Sequence, residues 1–447
     1  MRRKRVWFVS EPFHPEDEGV GWYMSRCAFG FAEMAEKEMA KNTKPAKNIR
    51  GAEKADDNGA GKSGSGEVFS VGAICTQPSY ARKGTRCPKR ELYRDVEIFR
   101  CGATQFDRQQ IVGRLVNLLT MCLSMFFCML WRVRRGDVVL VASSPPMLPF
   151  LAVVACFFRR ARCVIWSFDV YPEIAVSVGL LRKGAWMTRL FAGIRNFFYR
   201  RADAIVTLGR DMKEFLDQRL NPSGGGKRRL VPVYYVPLFV DTQEVLPVPR
   251  DESILLRELG LTDRFVVQIA GNLGFIHDVG LLLEAARRLE GTKVHFLLFS
   301  SGKKVPQVEQ AVSEEGRTNI TVHARLPRER TSEIVVACDL ALGPLLLPGM
   351  YGVLSPSRTY GILASGRPVL ALTEENTEVD RQIRENDCGW SVRCGDVDGF
   401  TTAIREASAN PDRMAEMGRN ARRVAETLYT PERVIAEIAR IVQGASL

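Results

Sequence analysis

The chain has 447 residues, with 63 lysines and arginines against 51 aspartates and glutamates, a formal charge of +12. That length suits two compact units of roughly 200 residues each better than one. Eleven cysteines show no CxxC pair, and the only histidines are His14, His277, His295 and His323, so neither a zinc site nor a disulfide framework is indicated and a reducing cytosol fits best. The charge is uneven: residues 1–230 carry 39 basic and 22 acidic side chains, a balance of +17, and the remainder carries 24 and 29, a balance of −5. A basic first half calls for an anionic partner, and the candidates are nucleic acid, a membrane surface or a phosphorylated acceptor. Nucleic acid fits poorly, because the basic residues lack interleaved base-stacking aromatics.

The run from Val6 to Ser10 reads as a first strand. It is too short for a signal-peptide core and leads into acidic residues instead of a cleavage site. Gly19-Val20-Gly21 then enters an amphipathic helix predicted from about 22 to 39. These glycines either let a ligand approach the backbone or make a plain strand-to-helix turn. Residues 40–66 are rich in Lys, Asp, Gly and Ser and nearly free of large apolar side chains, so they are expected to stay disordered. The Gly61-Lys62-Ser63 triplet within them is no phosphate loop, since Asp56 stands where the first glycine is needed and no buried strand precedes it.

A strand is predicted over 68–75 and a dense basic loop over 82–100. Residues 115–131 are apolar nearly all round and, at about 17 residues, sit near the lower limit for a bilayer span. Buried core helix, in-plane membrane anchor and true span all fit this stretch. A second apolar patch at 147–158, followed by Arg159 and Arg160, strengthens the anchor reading. Strands at 138–142, 163–166 and 204–207 alternate with helices, which implies βαβ units on a parallel sheet. After the Gly224-Gly225-Gly226 loop and a candidate linker at 235–241 the pattern restarts, with strands at 265–270, 294–299, 320–323, 340–342 and 369–372.

The most informative run is Ser355 to Ala371. Ser355, Ser357 and Arg358 open a helix, Gly366 closes it, and a buried strand follows. Hydroxyls, the free N–H groups of a helix start and the planar fork of Arg358 suit phosphate oxygens. Glu378, just past the strand, is placed to accept hydrogen bonds from sugar hydroxyls. Gly271-Asn272-Leu273-Gly274 follows the first strand of the second half, at the carboxyl end where doubly wound sheets bind ligands. Phosphate grip plus hydroxyl acceptor suggests a nucleotide sugar.

Together with 139–146, 166–173, 199–208 and 417–421, these segments resemble, in order and spacing, the GT-B glycosyltransferases, and among them the retaining bacterial enzymes that build exopolysaccharide and O-antigen. The resemblance covers most of the chain apart from 40–66. It implies an α/β chain of two Rossmann-like domains facing each other across a cleft. The acceptor-binding domain would span 1–235 and the nucleotide-sugar-binding domain 236–429, with the C-terminal helix 430–447 packing back on the first. The implied activity moves a hexose-type sugar from a nucleoside diphosphate, UDP in preference to GDP, to a lipid-linked or oligosaccharide acceptor with retention. The implied place is the cytoplasmic face of an anionic membrane, in cell-surface polysaccharide synthesis. Asp169 and Glu173 become catalytic candidates. Gly271, Asn272, Gly274, His277, Ser355, Ser357, Arg358 and Glu378 become donor-binding, and Gly19 and Gly21 acceptor-binding.

The chain departs from the family at several points. Many members carry a Glu-x7-Glu pair whose positions, counted back from Gly366, are here Val353 and Gly361, and a histidine common before the first catalytic acid is Phe168. A retaining front-face displacement needs no enzymic nucleophile, since the leaving diphosphate can take the acceptor's proton while cations stabilise its charge. His277 occupies the stretch that usually holds a cation, either as a phosphate donor or as an exposed histidine. Asp169 either positions or deprotonates the acceptor hydroxyl, or caps a helix. Asp396-Val397-Asp398 mimics a metal-binding DxD, but Gly395 before it and an amphipathic helix after it make these turn and cap residues, so no metal or other cofactor is expected. His323 and Arg325 are placed to border the nucleotide base. The alternative function is a catalytically degenerate subunit that binds a sugar nucleotide or a partner.

Overall fold

Apolar strands and helices alternate along the chain in the computed structural model, which describes residues 4–16, 19–43, 69–78, 86–104, 106, 111–222, 230–324, 326 and 330–444. Two compact units are present, Met1–Val141 with Leu151–Val164, and Ala142–Phe150 with Ile165–Leu447. The boundary expected near residue 235 lies inside the second unit.

The first half of the chain supplies β1 (Arg5–Val9), α1 (Gly19–Thr43), β2 (Ser70–Thr76), β3 (Arg90–Tyr93), β4 (Val96–Cys101), α2 (Ile111–Arg132), β5 (Val138–Ala142), α3 (Leu148–Arg159), β6 (Arg162–Ser167), α4 (Glu173–Ser177), α5 (Trp186–Tyr199), β7 (Ala204–Thr207), α6 (Arg210–Leu220) and β8 (Val233–Tyr235). Its eight strands lie in the order β3-β4-β2-β1-β5-β6-β7-β8, with β3 antiparallel to β4. The second sheet is built by α7 (Ile254–Glu258), β9 (Phe265–Asn272), α8 (Val279–Arg288), β10 (Val294–Ser301), α9 (Val305–Glu315), β11 (Ile320–His323), α10 (Thr331–Val336), β12 (Leu340–Leu345), α11 (Arg358–Ala364), β13 (Val369–Thr373), α12 (Glu378–Asn386), β14 (Gly389–Arg393), α13 (Val397–Ala409), α14 (Pro411–Leu428) and α15 (Pro431–Gln443).

The second sheet runs β11-β10-β9-β12-β13-β14, every pair parallel. Its strands are short apolar runs because both faces are covered. Val267, Ile269, Phe296, Leu298, Leu342, Leu370 and Leu372 meet Leu282, Ala286, Phe400 and Ile404 from the helices in one core. From β9 the chain winds outward through β10 and β11, then returns to the other side of β9 for β12, β13 and β14. The strand order therefore reverses between β9 and β12.

Several expectations change. The predicted basic loop over 82–100 contains the β3–β4 hairpin, hidden in the sequence by its charges. Arg100 is buried there because it pairs with Glu91 at 2.6 Å and donates to the carbonyls of Pro88 and His14. Strand β14 was not anticipated. Helix α1 begins at Gly19, so the two glycines lie in its first turn. Residues 40–43 continue that helix, and the rest of the stretch expected to be disordered, Gly61-Lys62-Ser63 included, lies outside the described residues. Helix α2 is not buried all round. It buries Met121, Cys122, Met125 and Met129 and exposes Leu115, Leu119, Leu123, Phe127 and Trp131. Asp396 is a cap, as its setting indicated, accepting from the Gly399 N–H at 2.8 Å, and Asp398 pairs with Arg288.

Candidate functional site

The strand order reverses between β9 and β12, and open α/β sheets take ligands at the carboxyl ends of the strands at such a switch point. Gly271 and Asn272 end β9, and the connection after β12 delivers Arg358. The Arg358 guanidinium donates from Nη2 to the Asn272 carbonyl at 2.8 Å and from Nη1 to the Gly343 carbonyl at 3.3 Å. A guanidinium has five N–H donors, so three remain beyond these two bonds. Gly271 makes this approach possible. Its φ is +119°, a conformation that side chains resist, and a Cβ there would stand 3.4 Å from Arg358 Nη2. No carboxylate among the described residues pairs with this cation, and burial lowers its pKa to about 10.

His277 closes the turn that follows. Its Nδ1 accepts the Gly274 N–H at 3.0 Å, its backbone bridges to Leu346, and Asp278 N donates to the Leu345 carbonyl at 2.9 Å. Burial first and the Arg358 charge second push the imidazole down to about 4. The ring is therefore neutral at physiological pH, and Nδ1 also lies 3.3 Å from the Gly274 carbonyl, so either Gly274 group can fix its tautomer. His277 is buried and neutral rather than an exposed side chain or a cation.

The segment from Leu346 to Ser357 joins β12 to Arg358, and four separate groups fasten it. Glu374 Oε2 accepts the N–H groups of Met350 and Tyr351, each at 2.8 Å. Ser177 Oγ donates to the Gly349 carbonyl at 2.6 Å, and Asp211 Oδ2 accepts the Gly352 N–H at 3.1 Å. Val170 N donates to the Val353 carbonyl at 2.9 Å, and Asp169 bridges to Leu354. Asp169 is thereby paired with Leu354, which precedes Arg358 by four residues. Ser143 Oγ fixes the turn from the other side by accepting the N–H groups of Phe168 and Asp169 at 2.9 and 3.2 Å. Burial with no opposing charge raises the Asp169 carboxyl to about 6.

Other predicted site residues are engaged elsewhere. Glu378 cannot serve as a sugar-hydroxyl acceptor. It is 2% exposed, its Oε2 takes Arg210 N and Nε at 2.8 and 2.9 Å, and its Oε1 takes the Tyr235 hydroxyl at 2.8 Å. Glu173 is bound to Arg195 at 2.5 Å, and Arg195 is itself buried, so this carboxylate holds α4 to α5. Gly21 is a packing glycine, since a Cβ there would meet Pro12 Cβ at 2.8 Å, whereas Gly19 is open with φ +51°. Ser355 hydrogen bonds to Tyr360, and Ser357 stands exposed at the start of the seven-residue α11 without capping it. Asn272 contributes its carbonyl to Arg358, and Gly274 its N–H to His277. His323 stacks on Phe299 at 5.2 Å, and its Nε2 is buried without a partner. Arg325 lies outside the described residues.

Replacing Glu378 with alanine is therefore expected to lower stability to urea by about 1–3 kcal/mol, because the Arg210 backbone N–H and the Tyr235 hydroxyl lose their acceptor while the Arg210 guanidinium keeps only Glu385, at 2.8 Å. A role in sugar binding would instead leave stability unchanged and raise the donor KM. Asp211 and Glu374 were not singled out in the sequence. Each follows a strand closely, as Asp169 does, but their tie to the 350–352 backbone has no local signature. Asp211 is 1% exposed with Oδ1 unpartnered, and burial raises it to about 6.

Two α/β sheets, the second with an arginine and a positive-φ glycine at its topological switch point, fit a GT-B architecture. The chain is 30% identical over 275 residues to "Probable glycosyltransferase WbjE" of Pseudomonas aeruginosa, a match covering 62% of this chain and 67% of that protein. In fold it is similar to sucrose-phosphate synthase from Thermosynechococcus elongatus, with a TM-score of 0.67 at 12% identity over 99% of this chain and 98% of that one. It is also similar to Anabaena HepE in complex with UDP-glucose, with a TM-score of 0.63 at 13% identity over 98% and 99% of the two chains. No family model matches the sequence. The chain belongs to the glycosyltransferases, and its fold is GT-B.

Proposed function

We propose that this glycosyltransferase moves a hexose-type sugar from a nucleoside diphosphate, UDP in preference to GDP, to a lipid-linked or oligosaccharide acceptor, with retention, in cell-surface polysaccharide synthesis at the cytoplasmic membrane face. The observation that carries the reading is the unpaired Arg358 guanidinium held against Gly271 and Asn272 beside a neutral His277. A diphosphate would take the remaining Arg358 N–H groups and, in its Nε2–H tautomer, the His277 ring, and these donors would stabilise the negative charge that grows as the anomeric carbon–oxygen bond breaks. The acceptor oxygen then bonds to the same face of the sugar, and its proton passes to the Asp169 carboxylate or to the departing diphosphate. The complex of HepE with UDP-glucose supports uridine as the nucleoside to test first.

A second reading is favoured by Val353 and Gly361, which leave both positions of the family's carboxylate pair apolar. It holds that the chain binds a sugar nucleotide without transferring it. Melting the protein with UDP, GDP, ADP and TDP sugars tests the first step, since a ligand at a hundredfold its Kd stabilises by about 2.7 kcal/mol. A UDP sugar is expected to give the largest rise. Donor hydrolysis or transfer then separates an enzyme from a binding subunit, and donor binding without either would leave the second reading standing.

A further inference from the structure

Helix α2 has an apolar face that nothing among the described residues covers. Leu115, Leu119, Leu123, Phe127 and Trp131 recur every fourth residue and are between 42% and 84% exposed. At 1.5 Å per residue this ridge is about 24 Å long. The opposite face is fixed in the first unit, with Met121, Cys122, Met125 and Met129 buried. Its polar side is also spoken for, since Asn117 Oδ1 accepts the Phe106 N–H at 2.9 Å and Asn117 Nδ2 donates to the Phe106 carbonyl at 2.9 Å. The helix is long and apolar enough to cross a bilayer, but its buried side packs on β2 and β4, and crossing would carry the edge of an open sheet into the hydrocarbon.

Helix α3 ends beside the C-terminus of α2, joined by Arg159 Nε donating to the Val133 carbonyl at 2.8 Å. Its last turn presents Phe157 and Phe158 at 79% and 67% exposure. Along this stretch of the chain the surface charge has one sign. From residue 111 to 160 there are six arginines, Arg114, Arg132, Arg134, Arg135, Arg159 and Arg160, and a single acid, Asp137. Asp137 is buried and bonds to Trp7 Nε1 at 3.1 Å, so it screens nothing at the surface.

An aliphatic and aromatic ridge flanked in sequence by six arginines, with the one acid of that stretch buried, matches a lipid layer with anionic headgroups: apolar side chains enter the acyl boundary while guanidinium groups stay among phosphates. Resting on the reading that the enzyme works at a membrane, the geometry points to α2, with the end of α3, lying in the plane of an anionic lipid surface as a one-sided anchor. The contact is interfacial, and the helix does not span.

The test uses the full chain with vesicles of phosphatidylcholine alone and of phosphatidylcholine mixed with phosphatidylglycerol. The protein is expected to sediment with the mixed vesicles at least about tenfold more tightly than with the neutral ones, and alkaline carbonate or high salt should release it. The double variant Phe127→Ser and Trp131→Ser is expected to lose roughly tenfold in vesicle affinity. Both residues are exposed, so its melting temperature and circular dichroism should match the parent. Trp131 fluorescence should also be quenched by shallow brominated lipids in the parent and not in Trp131→Phe. If the parent binds anionic vesicles and the double variant binds equally well, α2 is not the anchor, though the membrane reading survives. If the parent binds neither vesicle, both fail. Protein that resists carbonate extraction would show a span and overturn the in-plane arrangement.

Discussion

Arg358→Ala is expected to abolish the rise in melting temperature produced by a nucleotide sugar and to lower kcat/KM by about 10²–10³-fold, as removal of a charge-stabilising donor does elsewhere. The unliganded variant should melt no lower than the parent. Burial already works against the guanidinium's charge, pulling its pKa down to about 10, and no carboxylate is left stranded when it goes. Arg358→Lys should recover little. An ammonium is a point charge, whereas the planar fork reaches the Gly343 and Asn272 carbonyls and still keeps donors for a diphosphate. Titration calorimetry with the nucleoside diphosphate alone isolates the binding part, and an alanine variant that binds UDP as the parent does would remove Arg358 from the donor site.

The second large effect is a trade of activity for stability at Asp169. Asp169→Asn is expected to slow transfer by about 10²–10⁴-fold while making the protein more stable at neutral pH. The sign follows from linkage. The native carboxyl titrates near 6 and the unfolded one near 3.8, so between those values the folded protein holds the extra proton. Stability therefore falls as pH rises through that window, and the full cost of about 2–3 kcal/mol is present above it. Asparagine has no charge to desolvate and escapes the cost. Asp211 is raised to about the same value, so the variant should retain a weaker slope of the same sign. Parental activity should decline as pH drops through about 6, where the carboxylate takes up its proton. Urea denaturation of parent and variant above and below that point checks the stability claim, and a rate that survives in the variant would end Asp169's part in the reaction.

Much of the architecture is written locally. The strands at 204–207 and 320–323 have the bounds read from sequence, because each is a short apolar run between turn residues. Strand β14 escaped because Gly389-Trp390-Ser391-Val392-Arg393 is only half-buried and carries neither a continuous apolar run nor clean alternation. The β3–β4 hairpin escaped because its arginines suggest solvent, while Arg100 is buried beside Glu91.

At the site, sequence indicated which residue types gather after which strands. It carried no information on what occupies them. Glu378 and Asp169 both follow strands and both look available. The partner that occupies Glu378, Arg210, lies 168 residues away, and the burial that raises the Asp169 carboxyl is a property of the folded surroundings alone. His277 illustrates the same limit, since its neutrality follows from burial and from a cation 81 positions further along.

Because the stretch from Gly349 to Leu354 is tethered at once by Ser177, Asp211, Val170 and Glu374, it cannot be swapped as a cassette. Gly352 sharpens the constraint, as a Cβ there would collide with Phe215 at 2.5 Å. Grafting a relative's version of this stretch to retune donor choice would break partners on α4, on α6 and after β13 together. The penalties would be non-additive, and a chimera is workable only if the four anchoring positions travel with the graft.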